Sequence, residues 1–312
     1  MNKVQLDYAL KLQKVGNYSR AAKQLGISQP ALSLQIKNLE NELGIYLFDR
    51  TKKPIGVTYE GKRFLEKAEQ LLSQFIQLES FAQGLKNDYA GEITVGIIPT
   101  LSPYMVPLFI GELRKNFPQM IINIKEMLTE KIIENLRSNT IQLGIAATPI
   151  ETTTKFELKP IMYEEFMVFI SDEHDLSSHD NIQIEDLQHR DIWLLKEGNC
   201  FRDQVNNICG FNRKYGSENK FSYESNSIEA LCRIVENQGG ITFIPELSTM
   251  HLPEHKLDMI KKIKGKKRVR EISMITIPNQ TKIRFVNKIF ETIQKNIPKS
   301  MLYKSDSKIV AI

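Results

Sequence analysis

The stretch "SRAAKQLGISQPALSLQIKNLENELG", Ser19 to Gly44, restricts the possible folds of this chain more than any other part of it. Ser19 is suited to cap a helix, Ala21, Ala22 and Leu25 give that helix an apolar face, and Gly26 stands where a helix ends in a left-handed turn. A second cap, Ser28, follows at once. Pro30 sits in the next helix's first turn, and Ala31, Leu32, Ile36, Leu39 and Leu43 continue at helical spacing to Gly44. Two short helices joined by a glycine turn let the second one enter a DNA major groove.

The outer face of that second helix offers Gln29, Ser33, Gln35 and Lys37, with Ser28 and Pro30 at its entry. These hydrogen-bonding groups suit base edges and phosphates. Next comes "LFDRTKKPIGVTYEG", which sets Arg50, Lys52 and Lys53 around a proline turn before a β-rich return to Thr58. It reads as a wing whose cations reach the phosphate backbone or minor groove. The charge distribution agrees. The first 65 residues hold eleven Lys and Arg against five Asp and Glu, a net of +6, whereas the remaining 247 residues carry −1. Such a basic block on a near-neutral body is the layout of a nucleic-acid-binding head, although charge alone also fits a solvated lysine-rich surface.

A length of 312 residues predicts several domains, and 41% hydrophobic with 25% charged residues predicts a soluble, globular chain. "MNKVQLDYALKLQKVG" at Met1–Gly16 lacks the apolar run of a secretory signal. The one uncharged stretch of 19 residues, Ile93 to Gly111, contains Pro99, Pro103 and Pro107 and reads as a buried strand followed by a helix, not a membrane span. With three cysteines (Cys200, Cys209 and Cys232), a cytoplasmic, reducing location is expected, where a permanent disulfide is not.

After Gly61, apolar residues recur at Phe64, Ala68, Leu71, Phe75, Leu78, Ala82 and Leu85, a heptad seam. It reads as a dimerisation helix supplying the two-fold pairing that a palindromic operator requires; a core helix lying on its own domain is the alternative. From Glu92 the pattern changes. "EITVGII", "MIINIKEM" and "IQLGIAA" alternate with helical segments, and a second set runs from "EFMVFIS" through "GITFIP" before "EISMITI" and a last helix. Apolar strands with intervening helices indicate a mainly parallel sheet. In such sheets ligands bind beyond the carboxyl ends of strands, where Thr100 and Thr129 fall. The run "KKIKGKKRVR", seven basic residues in ten ending at Arg270, reads as a solvated connection between the two sets.

The chain shows no Gly-rich phosphate loop, and its histidines (His174, His179, His189, His251 and His255) have no zinc spacing with the cysteines. No catalytic set, cofactor or metal is expected. Cys200 follows Gly198 and Asn199, which favour a turn, and opens a segment spaced for a short helix, with Arg202 and Asp203 just after it. A thiol at a helix start beside an arginine is placed to have a lowered pKa and to react as thiolate. Two thiols that merely fill a core are the alternative, and Cys232, within "IEALCRIV", is expected to be such a core thiol.

"AAKQLGISQPALSLQIKNLENELGIYLFDRTKKPIGVTYEGKRFL" resembles the winged helix-turn-helix of the LysR-type transcriptional regulators. "GNCFRDQVNNIC", "GIIPTLSPYMVP" and "GGITFIPEL" resemble the peroxide-sensing OxyR subfamily of that family, over nearly the whole chain. The resemblance implies an α+β winged helix-turn-helix head (residues 1–60), a long linker helix (61–90) and a two-lobed α/β, periplasmic-binding-protein-like regulatory domain (91–312). Lobe I would take about 91–162 and 270–300, and lobe II about 163–269, with crossovers near Met162 and Arg270.

Carried over residue by residue, Cys200 matches the peroxidatic cysteine, Cys209 the resolving one, and Thr100, Thr129 and Arg202 residues around the reactive thiol. Members of the subfamily often have histidine just before that cysteine, where this chain has Asn199. The implied partners are operator DNA, further copies of the chain in a homodimer or homotetramer, RNA polymerase, hydrogen peroxide as signal and cellular thiol reductants. A regulator that answers a small organic co-inducer with passive cysteines, and a thiol peroxidase, are the two other functions the residues allow.

Overall fold

A computed structural model describes residues 1–84, 89–150, 155–187, 192–210, 223–278, 280 and 282–312. Leu85 of the seam and His189 lie outside the described residues. The chain divides into two compact units, Met1–Ala82 and Gln83–Ile312.

The first unit opens with α1 (Lys3–Val15), started by a capping box in which Asn2 and Gln5 satisfy each other's backbone. Helices α2 (Tyr18–Leu25) and α3 (Gln29–Leu43) follow. Ser19 is not the cap of α2. Asn17, extended and two residues earlier, accepts from the Arg20 N–H and places Ser19 inside the first turn. Ser28 does cap α3, and Gly26 and Gly44 take the left-handed conformation that ends α2 and α3. Leu12, Ala21, Leu32, Ile36 and Leu39 meet in one core.

Strands β1 (Phe48–Asp49) and β2 (Gly56–Val57) pair antiparallel and form the wing. Its root is a buried carboxylate. Glu40 on α3 accepts from the Leu47 and Phe48 N–H groups at 2.8 and 3.2 Å and from Arg50 at 2.9 Å, so the wing is fixed to the helix that precedes it. The long α4 (Tyr59–Gly84) then leaves the wing at Gly61, where a Cβ would stand 2.2 Å from the Leu47 carbonyl oxygen. The start of the heptad seam serves the head itself. Leu65 is fully buried and Phe64 packs against the same core, whereas Leu71, Phe75 and Leu78 are exposed on this chain.

In the second unit, β3 (Gly91–Ile97), α5 (Ser102–Asn116), β4 (Met120–Glu126), α6 (Thr129–Arg137) and β5 (Leu143–Thr148) build one lobe. The uncharged run is thus divided between buried β3 and α5. The long β6 (Glu157–Ile170) crosses to the other lobe, which contains β7 (Asn181–Ile182), β8 (Ile192–Trp193), α7 (Cys200–Cys209), α8 (Ile228–Gln238), β9 (Ile241–Pro245), α9 (Glu254–Leu257) and β10 (Ile260–Ile263). Strand β11 (Lys267–Thr276) returns, followed by α10 (Ile283–Asn296) and β12 (Ser307–Ile309).

The sheet runs β4-β3-β5-β11-β6-β10-β7, with β9 on β6, β8 on β9 and β12 on β11. It is mixed, not mainly parallel. Strands β3, β4 and β5 are parallel, but β11 is antiparallel to β5 and β6, because the strand that leaves a lobe and the one that re-enters it run in opposite directions. Along β6 the partner changes after Glu165, where pairing with β11 gives way to pairing with β9. Each lobe has its own apolar core. The basic run is not one solvated connection. It is the end of β10, a turn at Gly265 and the start of β11, where Val269 and Arg270, on opposite faces of the strand, are both buried.

Candidate redox site at the crossover of the two lobes

Glu164 on β6 and Arg270 on β11 are direct cross-strand partners, and both are essentially without solvent exposure. The Arg270 Nε donates to Glu164 Oε1 at 2.7 Å, one terminal nitrogen donates to Thr100 Oγ1 at 2.9 Å, and the other donates to the Thr100 carbonyl at 3.2 Å. The guanidinium lies over the Phe201 ring, 5.0 Å from its centre, and Phe201 stacks on Phe166. The second Glu164 oxygen accepts from the Leu247 N–H at 3.2 Å. A buried ion pair of this kind is favourable only with further hydrogen bonds, and here each guanidinium nitrogen and each carboxylate oxygen has a partner.

Helix α7 begins beside this pair. Asn199 is its N-cap, with Oδ1 accepting from the Phe201 N–H at 3.0 Å and Nδ2 donating to Asn226. The amide at this position therefore serves the helix cap. Cys200 is the first helical residue and its side chain belongs to the core of the first lobe; Cys209, the last, belongs to the core of the second. All three cysteines are free thiols and buried. At ~1.5 Å rise per residue, Cys200 and Cys209 stand about 13 Å apart along the axis.

The lowered pKa expected from Arg202 is not what the structure gives. Burial pushes the Cys200 thiol up. Arg270 is the first influence opposing that rise, then the Thr129 hydroxyl and the Phe201 N–H at the helix start, while Asp203 adds to it. Arg202 is drawn away, donating to the Leu195 carbonyl at 3.0 Å and lying 3.5 Å from Glu197. Thr129, at the start of α6, approaches the Cys200 sulfur but makes no hydrogen bond of good geometry to a described protein atom. Burial also holds Cys209 and Cys232 high, each pushed up to about 12.

A cleft of about 470 Å³ opens onto Cys200, lined among others by Thr129, Glu130, Ile150, Asp203 and Ile312. Thr129, Asp203 and Cys200 thus line one cleft, Asn199 caps the helix that Cys200 opens, Thr100 holds Arg270, Arg202 points to Leu195, and Arg270, with its partner Glu164, is the residue that reading the sequence missed. Alternation along "RVREISMIT" was the available signal, since it puts Arg270 on the same face as buried Ile272 and Met274.

In the head, Ser28, Gln29, Pro30 and Lys37 are exposed on α3 while Ser33 and Gln35 are half-buried. The Ser28 hydroxyl is occupied by the Ala31 N–H. Lys52 and Lys53 are exposed on the wing, Lys52 3.6 Å from Asp49, and Arg50 is shared between Glu40 and the Tyr18 ring, 5.7 Å from its centre. No helix among the described residues is long and apolar enough to cross a membrane.

Residues 4–62 match the bacterial regulatory helix-turn-helix of the LysR family, and residues 86–297 match the LysR substrate binding domain. The chain belongs to the LysR family of transcriptional regulators, which are not enzymes. Within that family it is OxyR-like. It is 30% identical over 251 residues to the hydrogen peroxide-inducible genes activator of Haemophilus influenzae, covering 80% of this chain and 82% of that one. Over 258 residues it is 30% identical to the DNA-binding transcriptional dual regulator OxyR of Escherichia coli K12, covering 83% of each. A full-length OxyR variant from Pseudomonas aeruginosa superposes with a TM-score of 0.71 at 27% identity, over 95% of this chain and 99% of that one.

Because only the thiolate attacks an oxidant, the reactivity of Cys200 rises with pH until its raised pKa is passed. Replacing Arg270 by Met together with Glu164→Gln removes both buried charges and the attraction on the thiolate. In a Cys209→Ser background, sulfenic acid labelling against pH is expected to show that rise displaced to higher pH, with a rate near neutrality lower by roughly tenfold per unit of displacement. An unchanged profile would remove Arg270 from the chemistry.

Proposed function

We propose that this LysR-family, OxyR-like regulator senses hydrogen peroxide through reversible formation of a Cys200–Cys209 disulfide and adjusts the transcription of oxidative-stress genes. The observation that carries the reading is the placement of two free, buried thiols at opposite ends of one ten-residue helix, the first beside a cation and open to a cleft. A disulfide needs Cα atoms within about 7 Å, so the bond is incompatible with an intact α7. Oxidation is therefore a conformational change, not a local edit. The relatives' names as hydrogen peroxide-inducible genes activators support the same signal.

In this reading Cys200 reacts and Cys209 resolves. Arg270, held by Thr100 and Glu164, stabilises the thiolate, and Thr129 offers its hydroxyl to the oxidant at the cleft. Asn199 caps the helix that must open, Arg202 ties its first turn to Leu195, and Asp203 keeps the resting thiol protonated. Glutathione-type or thioredoxin-type thiols reset the bond.

The DNA face is Ser28, Gln29, Pro30, Ser33, Gln35 and Lys37, with Lys52 and Lys53 on phosphates and Arg50 bracing the wing. The exposed Leu71, Phe75 and Leu78 pair copies of the chain, which then meet operator DNA and RNA polymerase as a homodimer or homotetramer. A cleft of about 470 Å³ also has the size of a small-ligand site, which favours the co-inducer reading.

Peptide mapping by mass spectrometry after stoichiometric peroxide discriminates the two. The expected result is a rapid, dithiothreitol-reversible Cys200–Cys209 link, absent in Cys200→Ser. Thiols that stay free in a protein still able to bind DNA would direct the search to a ligand in the cleft. For assembly, Leu71→Glu with Leu78→Glu is expected to move the sedimentation of the full chain to a smaller species; an unmoved distribution would place the pairing elsewhere.

A further inference from the structure

Residues 307–312 run along α7. Strand β12 pairs in parallel with Lys267–Val269 at the start of β11, and the Val310 N–H donates to the Val269 carbonyl at 2.9 Å. Val310 is buried in the second lobe's core together with Phe201, Val205, Ile208 and Cys209, all residues of α7. From the middle of the helix, the fully buried Gln204 donates to the Val310 carbonyl at 2.9 Å. One turn further on, Asn207 donates to the Ala311 carbonyl at 3.1 Å. Ile312 then reaches the cleft at Cys200. Just before β12, Lys266 and Asp306 form a solvent-exposed ion pair at 2.7 Å.

We propose that residues 307–312 form a clasp on α7 that holds the helix in its reduced form and thereby sets how readily Cys209 reaches Cys200. The inference rests on the disulfide reading above and assigns its control to a segment that takes no part in the chemistry. The Cys200 thiol gives up its proton and the thiolate attacks one peroxide oxygen; the S–O bond forms, the O–O bond breaks, and the released hydroxide takes up that proton and leaves as water. The sulfur is oxidised to sulfenic acid and the peroxide is reduced. The Cys209 thiol then gives up its proton and its thiolate attacks the Cys200 sulfur; the S–S bond forms, the S–O bond breaks, and the hydroxide released takes up that proton as a second water.

The first step leaves α7 as it is. The second requires it to unwind, which separates the buried Gln204 from the Val310 carbonyl and the exposed Asn207 from the Ala311 carbonyl, and the buried pair, which loses its partner away from water, resists that change. The clasp therefore opposes the resolving step specifically.

Two variants of the full chain test this, one ending at Asp306 and one carrying Gln204→Met, which removes the donor while leaving the segment in place. Sulfenic acid formation is read by dimedone labelling in a Cys209→Ser background, and disulfide formation by rapid quench and alkylation with both thiols present. Gln204→Met is expected to leave the first rate near that of the parent and to raise the second roughly three- to tenfold, the scale of one net hydrogen bond. The shortened chain should show at least the same gain in the second rate and require a more reducing thiol buffer to open the bond. If the parent forms the Cys200–Cys209 link and both variants form it at the parental rate, the clasp is refuted while the sensor reading stands. If the parent forms no such link, both fall.

Discussion

The buried Arg270 guanidinium is the point on which the regulatory unit turns. It reaches the Thr100 turn of one lobe, pairs with Glu164 on the crossing strand, and lies over Phe201 in the first turn of α7. Removing one member of a buried pair leaves an uncompensated charge and costs about 3–5 kcal/mol. The two crossover strands, the strand-end turn and the start of α7 are therefore not independent, because a shift in any of them disturbs the same cation. The register of β6 on β11 places Glu164 directly opposite Arg270, and the change of partner along β6 begins two residues later.

That arrangement also fixes the chemistry available at Cys200. Burial alone makes a thiol inert, and a cation alone makes it reactive at all times. Combined, they give a sulfur that rests protonated in the edge of an apolar core and gains anionic character from Arg270, Thr129 and the helix start. In the function we propose, anchoring Cys209 in the other lobe's core makes the resolving step a contest between a covalent bond and a helix packed on two sides. In that reading the signal is the lost packing and not the disulfide itself.

The head was legible because its rules are local. Ser28, Pro30, Gly26 and Gly44 each act within one turn of chain, and the wing followed from a proline turn between short β-rich segments. The cap of α2 was placed two residues late because Asn17 and Ser19 are both competent caps and only the tertiary entry angle chooses between them. The place of Cys200 at a helix start was legible in the turn before it, but the charges around it were not. Arg202 is near Cys200 in sequence and points away, while Arg270 is 70 positions distant and hidden in a run whose composition suggests solvent. Strand β12 went unread since three residues show too little alternation to register, although their pairing with β11 brings the closing segment onto α7.

In the proposed switch, oxidation is transmitted by the loss of α7. Amide hydrogen exchange across residues 200–209, measured on the full chain before and after stoichiometric peroxide, tests it most directly. Slow exchange along the helix is expected in the reduced protein. Rapid exchange is expected once the Cys200–Cys209 bond has formed, and no such change in Cys209→Ser. Unaltered protection of these amides in protein shown to contain the bond would contradict it.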